Sequence, residues 1–74
     1  MEVYIMSQAG GTEKYLVIIV EGAYNTFSTL QEIEYSICKT WQVHTTLVRS
    51  ADDLVGIDAI YLVDGKGLRR WDNE

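Results

Sequence analysis

Residues 61–71 read YLVDGKGLRRW, so that two glycines flank Lys66 and two arginines follow it. Backbone amides of a glycine-rich loop, together with a lysine, cradle phosphate groups where a helix begins. A nucleotide loop also requires a Ser or Thr after the lysine and then a helix, whereas LRRW follows here. The glycines are typical instead of a β-hairpin turn between two short β-forming runs, AIYLV and LRRW.

The register of this hairpin decides which of its side chains share a face of the sheet. A three-residue loop places Tyr61 opposite Trp71. A two-residue loop places Tyr61 opposite Arg70 and Ile60 opposite Trp71, a one-residue slip that changes what each face presents. The sequence is compatible with both registers.

The same hairpin carries residue types that are typical of nucleic-acid-binding sites, namely Lys66, Arg69, Arg70 and Trp71. Arginine supplies forked donors for phosphate, and tryptophan supplies a surface on which bases stack. The chain as a whole repels phosphate, because 11 acidic side chains outweigh 6 basic ones and leave a net charge of −5. Nucleic-acid binding is therefore the weaker hypothesis, and arginines that guard an edge strand explain the patch better.

Cys38 and His44 are the candidates for a nucleophile and base pair. Such a pair needs a thiolate, a histidine and an orienting group held together. Cys38 follows Ile37 on the apolar side of a predicted helix, where a buried and unreactive thiol is expected. A single cysteine also excludes an internal disulfide and a cysteine metal cluster.

Paired carboxylates occur twice, and neither pair has the arrangement of a catalytic or metal site. Asp52 and Asp53 are adjacent and lack the alternating oxygen ligands of a calcium loop. Glu32 and Glu34 lie two positions apart on different sides of a predicted helix, which does not suit an acid/base dyad. We therefore expect no enzymatic activity, no bound metal and no cofactor.

Five β-forming runs surround one helical pattern. The runs predict strands at 2–7, 14–20, 42–50, 59–63 and 68–71. The second run, KYLVIIV, is apolar on both alternating faces and is typical of a central strand. Gly10 and Gly11 separate the first two runs, which predicts an antiparallel hairpin there.

The helical pattern covers 28–41, and its apolar side chains recur every three or four residues. One helical face is predicted to carry Leu30, Ile33, Ile37 and Trp41. Ser28 and Gln31 have the spacing of a capping box at the start of this helix. A short helical turn is predicted near 50–56, where acidic residues precede Gly56.

These elements predict an α+β fold in β-β-α-β-β-β order, with a single domain over residues 1–74. The sheet is expected to be mostly antiparallel, with one helix packed on one face. The strand–helix–strand passage from 14 to 49 is long enough for a right-handed crossover, so the second and third strands are predicted to be parallel.

The composition is that of a folded protein, with 47% hydrophobic and 23% charged residues. The first apolar run breaks after about six residues, which is short for a signal peptide or for a membrane span of ~20 residues. Together with the single cysteine, this predicts a cytoplasmic protein that has no membrane partner.

A single covering helix leaves the other sheet face, or an edge, available to another protein or to a second copy in a homodimer. Eight aromatic side chains in 74 residues exceed what a small core hides, so Tyr24 and Tyr35 are expected as surface anchors. The acidic residues expected to meet a partner with a basic surface are Glu32, Glu34, Asp52, Asp53 and Asp58.

In its size, its acidity and its lack of a cysteine framework or catalytic set, the chain resembles the small inhibitors that phages and mobile elements encode, including anti-CRISPR proteins. The resemblance is one of type and includes no family-specific motif. It implies a non-enzymatic protein-binding module that acts in the host cytoplasm. Such a module blocks a basic nucleic-acid-binding complex by steric or electrostatic obstruction.

Overall fold

The computed structural model describes residues 1–71, and residues 72–74 of the predicted domain lie outside the described part. It confirms the α+β class, with five strands in one sheet and one α-helix. The elements are β1 (Glu2–Gln8), β2 (Tyr15–Ile19), α1 (Leu30–Cys38), β3 (Val43–Leu47), β4 (Ala59–Asp64) and β5 (Gly67–Arg70), with 3₁₀ helices at Ala23–Asn25 and Ala51–Leu54.

The strand order across the sheet is β3-β1-β2-β4-β5, so the apolar β2 is central as predicted. β1 and β2 form the predicted antiparallel hairpin. β2 and β3 run in the same direction, as predicted, but they are not neighbours, because β1 lies between them and bonds to both. β2 instead pairs in parallel with β4, and the apolar β4 shields it better than the polar β3 does.

Two crossovers connect the parallel strands. The passage from β2 to β3 contains α1, and the passage from β3 to β4 returns across β1 and β2 in the opposite direction. Crossovers between parallel strands almost always have a right-handed sense. The first crossover moves across the sheet from β2 toward β3, and the second moves in the opposite direction, from β3 toward β4. Two right-handed crossovers that move in opposite directions lie on opposite faces of a sheet, so the second one lies on the face that α1 does not cover.

The core lies between α1 and one face of the sheet. Met6, Val17, Ile33 and Val63 are fully buried there. Tyr15 and other partly buried residues pack around this cluster. The strand residues in the core alternate along the chain, so one side of every central strand faces α1.

α1 is shorter than predicted, and its cap differs from the predicted one. The Thr29 hydroxyl accepts from the Glu32 amide at 3.3 Å, while the Glu32 carboxylate accepts from the Ser28 amide at 2.6 Å. The N-cap is therefore Thr29, one residue after the predicted Ser28, and Glu32 takes the place predicted for Gln31. Lys39 adopts a left-handed conformation (φ 62°) and ends the helix, so Trp41 lies beyond the helix and is 63% exposed rather than in the core.

The β4–β5 hairpin has the two-residue register. Tyr61 lies opposite Arg70, and the Trp71 amide donates to the Ile60 carbonyl at 2.8 Å. Gly67, with φ 122°, has a conformation that only glycine adopts without strain. Tyr61 therefore packs against the core, and Trp71 does not share its face.

Candidate protein-binding surface

The sheet face opposite α1 is aliphatic across its three central strands. Cross-strand pairs join Val3 to Ile18 and Ile5 to Leu16, and β4 continues both rows. We call this surface the open face, defined by Val3, Ile5, Leu16, Ile18, Ile60 and Leu62. All six side chains are partly exposed and none belongs to the buried core cluster. Within residues 1–71, no α-helix packs on them.

The β3–β4 connection borders the open face on the side of β1 and β3. A cleft of about 360 Å³ lies between this connection and the sheet. Its apolar lining includes Ile5 and Val55, and its polar lining includes His44, Lys14 and Asp52. Val55 is 71% exposed, which adds an apolar side chain to the rim of the open face.

Asp52 and Asp53 both line this cleft but differ in their bonding. The Asp53 carboxylate accepts from the backbone amides of Arg49 (2.9 Å) and Ser50 (3.2 Å). These two amide donors, with the Arg49 charge nearby, lower the pKa of Asp53 below its ordinary value. Within residues 1–71 the Asp52 carboxylate has no hydrogen bond or ion pair, so its charge is available to a partner.

Asp58 holds the second crossover against the start of β2. Its carboxylate accepts from the Lys14 amide at 2.8 Å, and its own amide donates to the Lys14 carbonyl at 2.8 Å. The Lys14 ammonium donates to the Val55 carbonyl at 3.3 Å. These bonds fix the connection in place and give the Asp58 carboxylate a structural role, while its predicted binding role stays a prediction.

The two predicted helix acids lie on the other side of the sheet. Glu32 takes part in the cap of α1, and the Glu34 carboxylate accepts from the Thr45 hydroxyl at 2.5 Å. Thr45 points toward α1, whereas its neighbours on β3 point toward the cleft. The predicted acidic set is therefore divided between two surfaces.

The predicted aromatic anchors are exposed, but they lie apart from the open face. Tyr35 on α1 is 40% exposed and stacks on Trp41, with ring centroids 4.3 Å apart. Tyr24 lines a separate cleft of about 430 Å³ with Glu2 and Ile19. Partial burial, with the Glu2 charge nearby, raises the pKa of Tyr24.

The cationic residues of the hairpin form no single patch. The Arg69 guanidinium forms an ion pair with Asp64, and the other Asp64 carboxylate oxygen accepts from the Lys66 amide at 2.9 Å. Arg69 and Arg70 are consecutive on β5 and so point to opposite faces. β5 is an edge strand, as the guarding role of its arginines requires.

The nucleophile and base candidates lie on opposite sides of the sheet. Cys38 is buried at the end of α1, and burial raises the pKa of its thiol. His44 is exposed beside the cleft. The predicted buried thiol is confirmed. In the described part of the chain, no three His, Cys, Asp or Glu side chains are grouped as metal ligands.

Comparisons of the chain with protein-family models, with curated proteins and with solved structures find no match. The nine residues of α1 are too few to cross a bilayer, and residues 1–71 contain no helix that spans one.

The sequence patterns pointed to acids and tyrosines as the binding residues and did not single out the aliphatic residues of the open face. The signal was present in YLVIIV and AIYLV, which are apolar at both odd and even positions. A strand of that kind needs cover on both faces. Within residues 1–71 one amphipathic α-helix is present, and it covers one face.

Proposed function

We propose that this chain is a non-enzymatic protein-binding module that docks its partner on the open face. One observation carries the proposal: six aliphatic side chains form two adjacent rows on a sheet face that no α-helix covers among residues 1–71. Contiguous apolar surface of this kind marks interaction sites in small proteins. Burial of these side chains by a partner supplies the main favourable free energy of the complex.

The partner that fits this surface has an apolar ridge with basic side chains beside it. The chain has a net charge of −5, and the unpaired Asp52 carboxylate lies at the rim of the open face. A basic partner is attracted by the overall field and gains a direct contact at Asp52. Charge steers the encounter, and the aliphatic face holds the complex together.

A basic nucleic-acid-binding complex belongs to this class of partner. A small acidic domain docked in its groove excludes nucleic acid by occupying the space and by cancelling positive charge. We propose that the chain acts in this way as an inhibitor, as the small inhibitors of phages and mobile elements do. It requires no catalytic residue in the chain.

The test compares two variants as bait in a lysate of the organism that encodes the chain. Ile18→Thr with Ile60→Thr makes the open face polar while keeping β-branched side chains that suit strands. Tyr24→Ser removes an exposed aromatic side chain elsewhere on the surface. Circular dichroism establishes that each variant folds before it is used.

We expect a protein captured by the original chain to be lost with the double threonine variant and retained with Tyr24→Ser. Capture retained by the double variant and lost with Tyr24→Ser contradicts docking on the open face.

Asp52→Asn then tests the contribution of the Asp52 charge to partner binding. It should weaken capture and flatten the salt dependence of capture, because one screened attraction has been removed.

A further inference from the structure

The two edges of the sheet differ in what they offer to another strand. β3 forms one edge and β5 forms the other. The Ala9 amide donates to Gln42 (2.8 Å) and the Val48 amide donates to Val3 (2.9 Å), so even-numbered residues of this segment bond to β1. Hydrogen-bonded residues alternate in an antiparallel ladder. The N–H and C=O groups of Val43, Thr45 and Leu47 therefore point outward along the edge.

The β3 edge has none of the usual protections. Its sequence, VHTTL, contains no Lys, Arg, Asp, Glu or Pro. β5 has only four residues, and two of them are arginines. Charged side chains are one device by which natural proteins prevent edge pairing, so the arginines guard β5, and β3 carries no such charge.

We propose that a second copy of this chain pairs with the β3 edge, antiparallel and centred on Thr45, to form a continuous sheet through a two-fold axis. This surface is distinct from the open face, and the inference stands independently of the proposed function. The outward N–H and C=O groups of each β3 then find partners in the other copy. The open faces of the two copies lie side by side on one surface.

The side-chain pairs favour a second copy as the occupant. Centring on Thr45 places Val43 opposite Leu47 and His44 opposite Thr46, and each pair occurs twice. No like charges are opposed in these pairs, and Val43 with Leu47 forms an apolar contact. Leu47 is 42% exposed, so it has surface to bury there.

Symmetry also favours β3 with β3 over β3 with β5. Two identical edges related by a two-fold axis form a closed dimer, whereas head-to-tail pairing of different edges generates an open fibre. The arginines of β5 oppose the fibre. The closed dimer leaves both guarded edges outward and buries both unguarded ones.

Charge repulsion between the two copies opposes this dimer and predicts a particular dependence of dimerisation on salt. Each Glu34 carboxylate is bonded to its own Thr45 hydroxyl, so the two-fold axis brings two carboxylates to the same region. Each copy also carries a net charge of −5. Salt screens this repulsion, and the dimer should tighten as salt is raised. Binding of a basic partner should respond to salt in the opposite direction.

Amide hydrogen exchange of the original chain, followed by NMR across a dilution series, tests the pairing. The amides of Thr45 and Leu47 should exchange more slowly by on the order of tenfold or more at the concentration where sedimentation gives a dimer mass. The amides of His44 and Thr46 are the internal control, because they are bonded to β1 in both monomer and dimer.

Two variants sharpen the result. Leu47→Pro removes an outward N–H that the monomer does not use, so it should abolish the dimer while the monomer stays folded. Val55→Ser removes a more exposed aliphatic group outside β3 and should leave the dimer unchanged. Glu34→Gln keeps an acceptor for Thr45 and removes the charge, so the dimer should tighten by about two- to fivefold.

A monomer mass at every concentration and salt level overturns the proposal. A dimer whose Thr45 and Leu47 amides still exchange fast also overturns it, because association then uses another surface. If Ile18→Thr with Ile60→Thr removes that dimer, the open face is the contact. A monomer mass leaves capture of another protein by the open face untouched, so the two proposals fail separately.

Discussion

Ile18 and Ile19 are neighbours in the central strand β2, yet they lie in different environments. Ile19 is 3% exposed and belongs to the core beneath α1, whereas Ile18 belongs to the open face. The same residue type therefore has two uses in one strand. One face stabilises the monomer, and the other carries apolar surface that the monomer leaves partly in water.

This difference separates the apolar residues that form the core of the monomer from the apolar residues that the monomer leaves partly exposed. A chain of 74 residues buries a small core, and each side chain in that core contributes a large share of the stability. Ile60 and Leu62 lie on the face opposite α1, so that helix cannot cover them. Apolar residues beyond the needs of the core are the physical basis for proposing a binding function.

The largest expected effect tests this comparison directly. Ile19→Ala should lower the free energy of unfolding by about 2–5 kcal/mol, because it leaves a cavity in a closed core. Ile18→Ala should cost about 1–2 kcal/mol, because the open face leaves no enclosed cavity. Urea denaturation followed by circular dichroism measures both. Equal losses for the two variants would mean that the open face is covered as the core is.

The fold class and the elements were predictable because they depend on local patterns. Runs of β-forming residues predicted the strands, and Gly10 with Gly11 predicted the first hairpin. The strand order was not predictable, because the sequence does not state that β1 takes the place between β2 and β3. That choice follows from which apolar faces shield one another, and shielding is a property of the assembled sheet.

The geometry of the candidate site was predictable only in part, for similar reasons. Trp41 continues the spacing of Ile37, but the left-handed turn at Lys39 ends the helix first. Acidity was visible in the sequence, whereas the separation of Glu34 from Asp52 by the sheet was not. The hairpin at 61–71 was predictable, and its register required the positions of both strands.

The cap of α1 provides the second test, since α1 is what makes the covered face different from the open one. Thr29→Ala should destabilise the protein by about 1 kcal/mol, within a range of about 0.5–2, because the Glu32 amide loses its acceptor. Ser28→Ala is the matched control and should be nearly neutral, because Ser28 contributes its backbone amide. A larger loss for Ser28→Ala than for Thr29→Ala would assign the cap to the residue predicted from sequence.

Alkaline pH should affect the covered face through Tyr15. The Tyr15 hydroxyl donates to Glu13, and this bond, with burial, raises the pKa of Tyr15 to about 12. A raised pKa means that the folded state keeps a proton that the unfolded state releases near pH 10, so stability falls between about pH 10 and 12. Thermal unfolding across this range should show the loss, and Tyr15→Phe should reduce its slope. An unchanged slope in Tyr15→Phe would assign the loss to the other tyrosines.

The smallest effect concerns the two acids beside the open face. Asp52→Ala should change the free energy of unfolding by no more than about 0.5 kcal/mol, because its carboxylate has no bond within residues 1–71. Asp53→Ala should destabilise more, because two backbone amides lose their acceptor. The pKa of Asp53 is lowered by folding, so its contribution is present above the unfolded value of 3.8 and is lost as the pH falls through the lower folded value.

An acid titration of unfolding tests the role of Asp53, because Asp53→Ala should flatten the acid limb of the stability curve. Asp52 is tested by the free energy of unfolding at neutral pH. If Asp52→Ala lowers that free energy as much as Asp53→Ala does, the Asp52 carboxylate contributes to the stability of the fold. Its charge is then not available at the rim of the open face, and the attraction of a basic partner must come from other acids. The free energy of unfolding of Asp52→Ala thus decides whether the Asp52 carboxylate stabilises the monomer or is available to bind a partner.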